Sequence, residues 1–186
     1  MSNSSSNPVN EMPTHRLVEM IDRFILLSGR GVALLSLPLI AIIVVQVILR
    51  YVFSNGLVVL EELQWHLYAV LAMLAISFGV AEDIHIRMDL IYTSRSVKTK
   101  AWIDLIGMVV FALPLALVFC VSSFGLVEAS YKVLEGSASP GGLPYRWVIK
   151  SVLPISMGFY ALAIFSRIIR VVIFLFSYRG RKHHGI

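Results

Sequence analysis

Two carboxylates, Glu61 and Glu62, stand side by side just before His66, and a second polar group, Asp83, His85 and Asp89, follows at the far end of the same apolar stretch. Carboxylate and imidazole together bind divalent metals or move protons, so either chemistry has to be weighed. Spacing keeps the two groups apart: His66 and His85 are nineteen residues apart, about 28 Å along a helix at ~1.5 Å per residue. A membrane haem needs axial ligands facing one another across a bundle, and the other histidines, His15, His183 and His184, all lie in the terminal segments. The single Cys120 falls inside an apolar run and offers neither an intramolecular disulfide nor a thiolate metal site. No cofactor or metal is therefore expected in this chain, and no catalytic residue. Glu61 and Glu62 have a plain structural use, since two anions in the first turn of a helix complement its dipole and mark a water boundary. A role in binding a partner is the alternative.

The elements that would position these groups are membrane spans. Of 186 residues, 58% are hydrophobic and only 15% charged, and the mean hydropathy is +0.81. A soluble domain of that composition could not cover itself, which excludes soluble catalysis and nucleic-acid binding. The net charge of +5 comes from cations placed between and beyond the apolar runs, a topological pattern. An all-α integral membrane protein with four spans is predicted, at about 31–50, 63–82, 102–127 and 148–176. The first includes nineteen uncharged residues from Gly31 to Leu49, and Pro38 is expected to kink it. Pro114 lies inside the third. Trp102, Arg146, Trp147, Lys150, Arg167 and Arg170 are expected as anchors at the membrane interfaces, with Lys150 and Arg167 snorkelling.

Residues 1–15 are polar and expected to be disordered, with no signal peptide. Over 16–30, Leu17, Met20, Ile21, Phe24 and Leu27 recur at helical spacing, while Arg16, Glu19, Asp22 and Arg23 take the other faces. That pattern predicts an amphipathic helix in the headgroup plane. The region 31–177 is then the membrane domain and 178–186 a basic tail.

Four spans place both termini and the Glu82–Lys100 connection on one side. Twelve Lys and Arg residues lie there, against Arg50, Lys132, Arg146 and Lys150 on the other, so the positive-inside rule predicts cytoplasmic termini. The connection RYVFSNGLVVLEE turns at Ser54-Asn55-Gly56 but returns at once to Leu57-Val58-Val59-Leu60, as if touching membrane or protein. EGSASPGGLP, from Glu135 to Pro144, reads as a turn region without helix.

No charge remains near mid-bilayer. Ion-coupled transport needs ionisable groups or broken helices there, so a transport pathway within this chain alone is disfavoured. Small residues such as Ser36, Ala72, Ala75, Ser77 and Gly79 can bring helices close. Three readings stand: an accessory or scaffold subunit, a self-associating four-helix exporter, and a membrane redox subunit. The exporter lacks a mid-span carboxylate, because Glu61, Glu62, Glu82, Asp83, Asp104 and Glu128 all lie near span ends, and the redox subunit lacks haem-ligand pairs.

The motifs ILRYVFSNG, LEELQWHLYAVLAML, HIRMDLIY and AWIDLIG, in that order, resemble the small Q membrane subunit of tripartite ATP-independent periplasmic (TRAP) transporters. SPGGLPYRWVIKSVLPI is similar to the longer Q subunits of the branch associated with mannitol, chloroaromatic compounds and 2-oxo acids. The resemblance implies four spans in the bacterial inner membrane with both termini inside, and no substrate site in this chain. It also implies a large M subunit that moves an organic acid by a sodium-coupled elevator motion, and a periplasmic binding protein that delivers the acid. Arg50, Tyr51, Asn55, Glu61, Glu62, Trp65, His85, Arg87 and Asp89 match the family's motifs and are implied as structural or partner-facing. On this reading Arg50 and Tyr51 anchor the outer end of the first span, Glu61 and Glu62 fix the start of the second, and His85, Arg87 and Asp89 order the cytoplasmic turn. His66 stands where many members carry Arg.

Overall fold

The computed structural model describes residues 16–81 and 96–181. Its helices are α1 (Arg16–Ala33), α2 (Ser36–Tyr51), α3 (Val58–Ala81), α4 (Val97–Gly107), a π-helical turn (Met108–Ala112), α5 (Leu113–Lys132) and α6 (Trp147–Arg181). There is no strand among the described residues. Four stretches are long and apolar enough to cross a membrane: Val18–Tyr51, Val58–Ala81, Lys98–Lys132 and Trp147–Phe176. The first and third are each built from more than one helical segment, and a proline accounts for each joint.

Pro38 acts on the chain four residues upstream of itself. The chain breaks at Leu34–Leu35, and Pro38 lies in the first turn of α2. Proline has no N–H to give the carbonyl four residues back, and its ring crowds that carbonyl. Here that carbonyl belongs to Leu34, which takes the Leu37 N–H at 3.2 Å, while the Leu35 N–H closes on Val32 at 2.9 Å. Pro114 has a related effect. The π-turn precedes it, and the Leu113 N–H reaches back five residues to Met108.

The apolar Leu57–Leu60 stretch is mostly helix: α3 begins at Val58, and the Glu61 N–H bonds to the Leu57 carbonyl. Only residues 52–57 connect α2 to α3. The link between α5 and α6, 133–146, is non-helical as expected.

The long helix α6 packs against α1, α3, α4 and α5, and α3 also contacts α1 and α2. One core cluster joins Ile25 of α1, Val80 of α3, Ala116 of α5 and Ala163 and Ile164 of α6; a second joins Ala101 of α4 to Val171 and Phe174 of α6. Between helices, small polar residues are buried: Ser77, Ser123, Ser130, Ser156 and Ser166. The Ser77 and Ser156 hydroxyls return to carbonyls three residues back in their own helices, at 3.0 and 2.9 Å, so each satisfies its hydroxyl without spacing the helices apart. Half-buried Cys120 donates to the carbonyl of buried Pro154 at 3.5 Å, tying α5 to α6.

By contrast, α2 and α5 turn much of their apolar surface outward. Leu37, Ile40, Val44, Val47 and Ile48 are exposed on α2, and Phe111, Leu115, Val118, Val121 and Phe124 on the π-turn and α5. A soluble protein rarely exposes so much contiguous apolar area; a membrane protein offers it to lipid or to a partner helix.

Candidate functional site

At the end of the bundle where α2 ends and α3 begins, the adjacent carboxylates take different roles. Neighbouring positions on a helix point about 100° apart, so Glu61 is exposed while Glu62 turns toward the 133–146 segment. One Glu62 oxygen accepts from the Ser137 hydroxyl, and the other accepts the Leu143 backbone N–H at 2.6 Å. A single side chain thus holds both limbs of the loop. Gly142 makes room for this: a Cβ there would stand 2.5 Å from the Ser137 Cβ and 2.8 Å from Glu62 Oε1. Gly141, at φ +75°, supplies the left-handed turn beside it.

Backbone bonds close the same loop, with Ser137 N–H donating to Leu143 O at 3.1 Å and Arg146 N–H to Glu135 O at 2.8 Å. Lys150 donates to the Glu135 carboxylate. That contact, together with the Ser130 hydroxyl beside it, holds the Glu135 carboxyl below its ordinary range. His66 directs Nδ1 at the Glu62 backbone carbonyl, so Nδ1 carries the proton. Among the described residues, no three His, Cys, Asp or Glu side chains gather as a metal-binding group.

The other motif positions form an exposed rim. Arg50, Tyr51, Asn55 and Trp65 are all exposed, and the Asn55 N–H closes the α2 end on Leu49 O at 3.0 Å. Trp65 meets Tyr68 edge-on, ring centroids 6.1 Å apart. His85, Arg87 and Asp89 lie outside the described residues. Of the expected interface anchors, Trp102 and Arg146 are exposed. Trp147 is half-buried against Tyr131, ring centroids 5.4 Å apart. Lys150 is engaged by Glu135.

Arg167 and Arg170 differ most from expectation. Arg167 is buried in the bundle, and Arg170 pairs with Asp22 of α1. The Ser166 hydroxyl donates to the same carboxylate at 2.6 Å. Asp22 supplies Arg170 with an internal anion, and helix packing covers Arg167.

Several structural residues escaped the sequence reading: Asp22, Gln46, Ser137, Gly142 and Leu143. Gln46 offered a signal, a lone amide in an apolar run. It is buried, and its Nε2 donates to the Leu57 carbonyl at 3.3 Å, tying α2 to the start of α3. Asp22 had the charge but read as the polar face of an interfacial helix.

All these polar groups brace helix ends and loops, and the apolar faces are left for lipid or protein. Residues 39–173 match the family model described as "Tripartite ATP-independent periplasmic transporters, DctQ component". The chain belongs to the DctQ family. It is the small membrane subunit of a TRAP transporter, a multi-pass inner-membrane component and not an enzyme. No curated protein matches the chain. For a DctQ subunit, the clamp at Glu62 and the tie at Asp22 are structural fixtures at opposite ends of a four-span bundle.

Proposed function

We propose that this DctQ subunit is the stationary brace of a sodium-coupled uptake system for an organic acid. Its partners would be a large M subunit that carries the substrate and sodium sites, and a periplasmic binding protein that delivers the acid. The motif SPGGLPYRWVIKSVLPI supports the branch that includes 2-oxo acid systems. The observation that carries the reading is the broad outward apolar surface of α2 and α5 on a bundle whose Glu62, Glu135 and Asp22 are all engaged within the chain. An elevator needs a fixed part wide enough to anchor the moving one, and such faces widen it by helix packing and polar contacts. The cation distribution supports cytoplasmic termini, with the Glu62 clamp toward the periplasm, where exposed Glu61 could meet the docked binding protein. The amphipathic pattern of α1 supports a position along the cytoplasmic headgroups.

Co-purification with the neighbouring membrane-protein gene product, followed by uptake in liposomes, tests this. A one-to-one complex that transports only with both chains, the binding protein and a sodium gradient is the expected outcome. Transport by this chain alone would overturn the reading.

A further inference from the structure

Two cavities share Arg30 in their walls. One, of about 530 Å³, is polar and lined by Glu19, Asp22, Arg23, Arg30 and Arg170 with Ala81 at its edge. The other, of about 510 Å³, is apolar and lies between the α1–α2 elbow and α3, with Val32, Ala33, Leu39, Leu71, Ala75 and Phe78 in its walls. Both fall within the roughly 300–1,000 Å³ typical of ligand clefts. The elbow follows from Pro38, and the small Ala72 and Ala75, exposed on α3, leave the groove unfilled.

Among the described residues the polar half sets three arginines against two carboxylates. Asp22 is taken by Arg170, and Arg23 and Arg30 are exposed. They stand seven positions apart on α1, two turns along one face and about 10 Å in rise, with Glu19 the other carboxylate at the rim. Guanidinium groups so placed suit a phosphate oxygen set. An apolar channel opening from the same arginine suits a hydrocarbon chain.

We infer that these neighbouring cavities are together a site for one anionic phospholipid of the surrounding membrane, its phosphodiester held by Arg23 and Arg30 and an acyl chain seated between α1–α2 and α3. Such a lipid would fill the elbow that Pro38 opens and fix α1 against α3. The charge surplus makes the site prefer an acidic headgroup to a zwitterionic one, and the groove makes it prefer a lipid to a soluble anion.

Native mass spectrometry of the full chain in mild detergent, titrated with dioleoylphosphatidylglycerol or dioleoylphosphatidylcholine, tests the assignment. One retained phosphatidylglycerol is expected, favoured roughly tenfold or more over phosphatidylcholine. Arg23→Gln with Arg30→Gln should abolish that preference. Ala75→Phe, or Ala72→Leu should the larger residue prevent folding, should reduce retention of both lipids. Lys98→Gln, in a separate groove beside Trp102, should change neither. Equal retention of the two lipids, or indifference to these α1 and α3 variants, would overturn the inference. Displacement of phosphatidylglycerol by millimolar inorganic phosphate would also overturn it, in favour of a free-anion site. So would loss of the lipid on co-expression with the large subunit, which would make the groove a protein joint.

Discussion

Asp22 and Arg170, 148 residues apart in the chain, form an ion pair that fastens α1 to α6. Both side chains are about one-sixth exposed, 16% and 17%, so the pair is shielded enough to matter and wet enough to avoid the full cost of burying charge. Asp22→Asn should lower stability by about 2 kcal/mol, because it leaves a largely buried guanidinium without its anion. Thermal unfolding in detergent, with the Asp22→Asn and Arg170→Gln double-mutant cycle, measures the coupling. Additive effects of the two changes would show that the pair contributes nothing.

Glu62→Gln should loosen the 133–146 loop while leaving the helices intact. The amide oxygen can still accept the Leu143 N–H, but its NH₂ must then donate to a Ser137 hydroxyl that has turned its proton away, and neither bond keeps its charge assistance. Loss of a charge-assisted bond costs about 1.5–3 kcal/mol locally. Faster tryptic cleavage after Arg146 and faster amide exchange at Leu143 are the readouts, with unchanged far-ultraviolet circular dichroism.

Gly142→Ala should produce the same opened loop by crowding. The new methyl would meet the Ser137 Cβ at 2.5 Å, and such overpacking costs about 1–3 kcal/mol. Ser137→Gly added to Gly142→Ala should restore part of the protection, since it removes the atom that is struck. A lack of rescue would place the strain on Glu62 Oε1, 2.8 Å from the new methyl, or in the backbone.

Acid should open this loop as well. Lys150, hydrogen-bonded to Glu135, with Ser130 beside it, lowers the carboxyl below its ordinary 4.5. The folded state therefore binds that proton less readily than the unfolded chain. Its stabilisation is complete above the ordinary value and is lost as pH falls through the lowered one. Loop protection measured by pulsed proteolysis should hold at pH 6 and decline well below pH 4.5. In Lys150→Met the decline should begin at higher pH; an identical profile would exclude the Glu135 contribution.

Pro38→Ala should return an N–H to the Leu34 carbonyl and let α1 run on into α2. Continuous helix across Leu34–Leu35 would pull Asp22 off Arg170, so slower amide exchange at the elbow should accompany a lower melting temperature. Slower exchange with an unchanged melting temperature would show that α1 tolerates either course.

The four apolar runs, with charges only near their ends, were enough to fix the fold class. In a bilayer, every backbone polar group must be satisfied within the segment, so an apolar run of span length has few options but helix. The turn character of Glu135–Pro144 and the disruptive prolines were legible for the same local reason. The ordered motifs, from ILRYVFSNG to AWIDLIG, carried the family. What the sequence could not determine was the partner of each polar side chain. Glu61 and Glu62 look alike in the chain, yet the helix start at Val58 exposes one and aims the other at Leu143. Arg167 and Arg170 read as lipid-facing anchors until Asp22 and the packing of α1 gave the second an internal anion. Such pairings join residues far apart in the chain, and only the packing of helices brings their side chains within hydrogen-bonding reach.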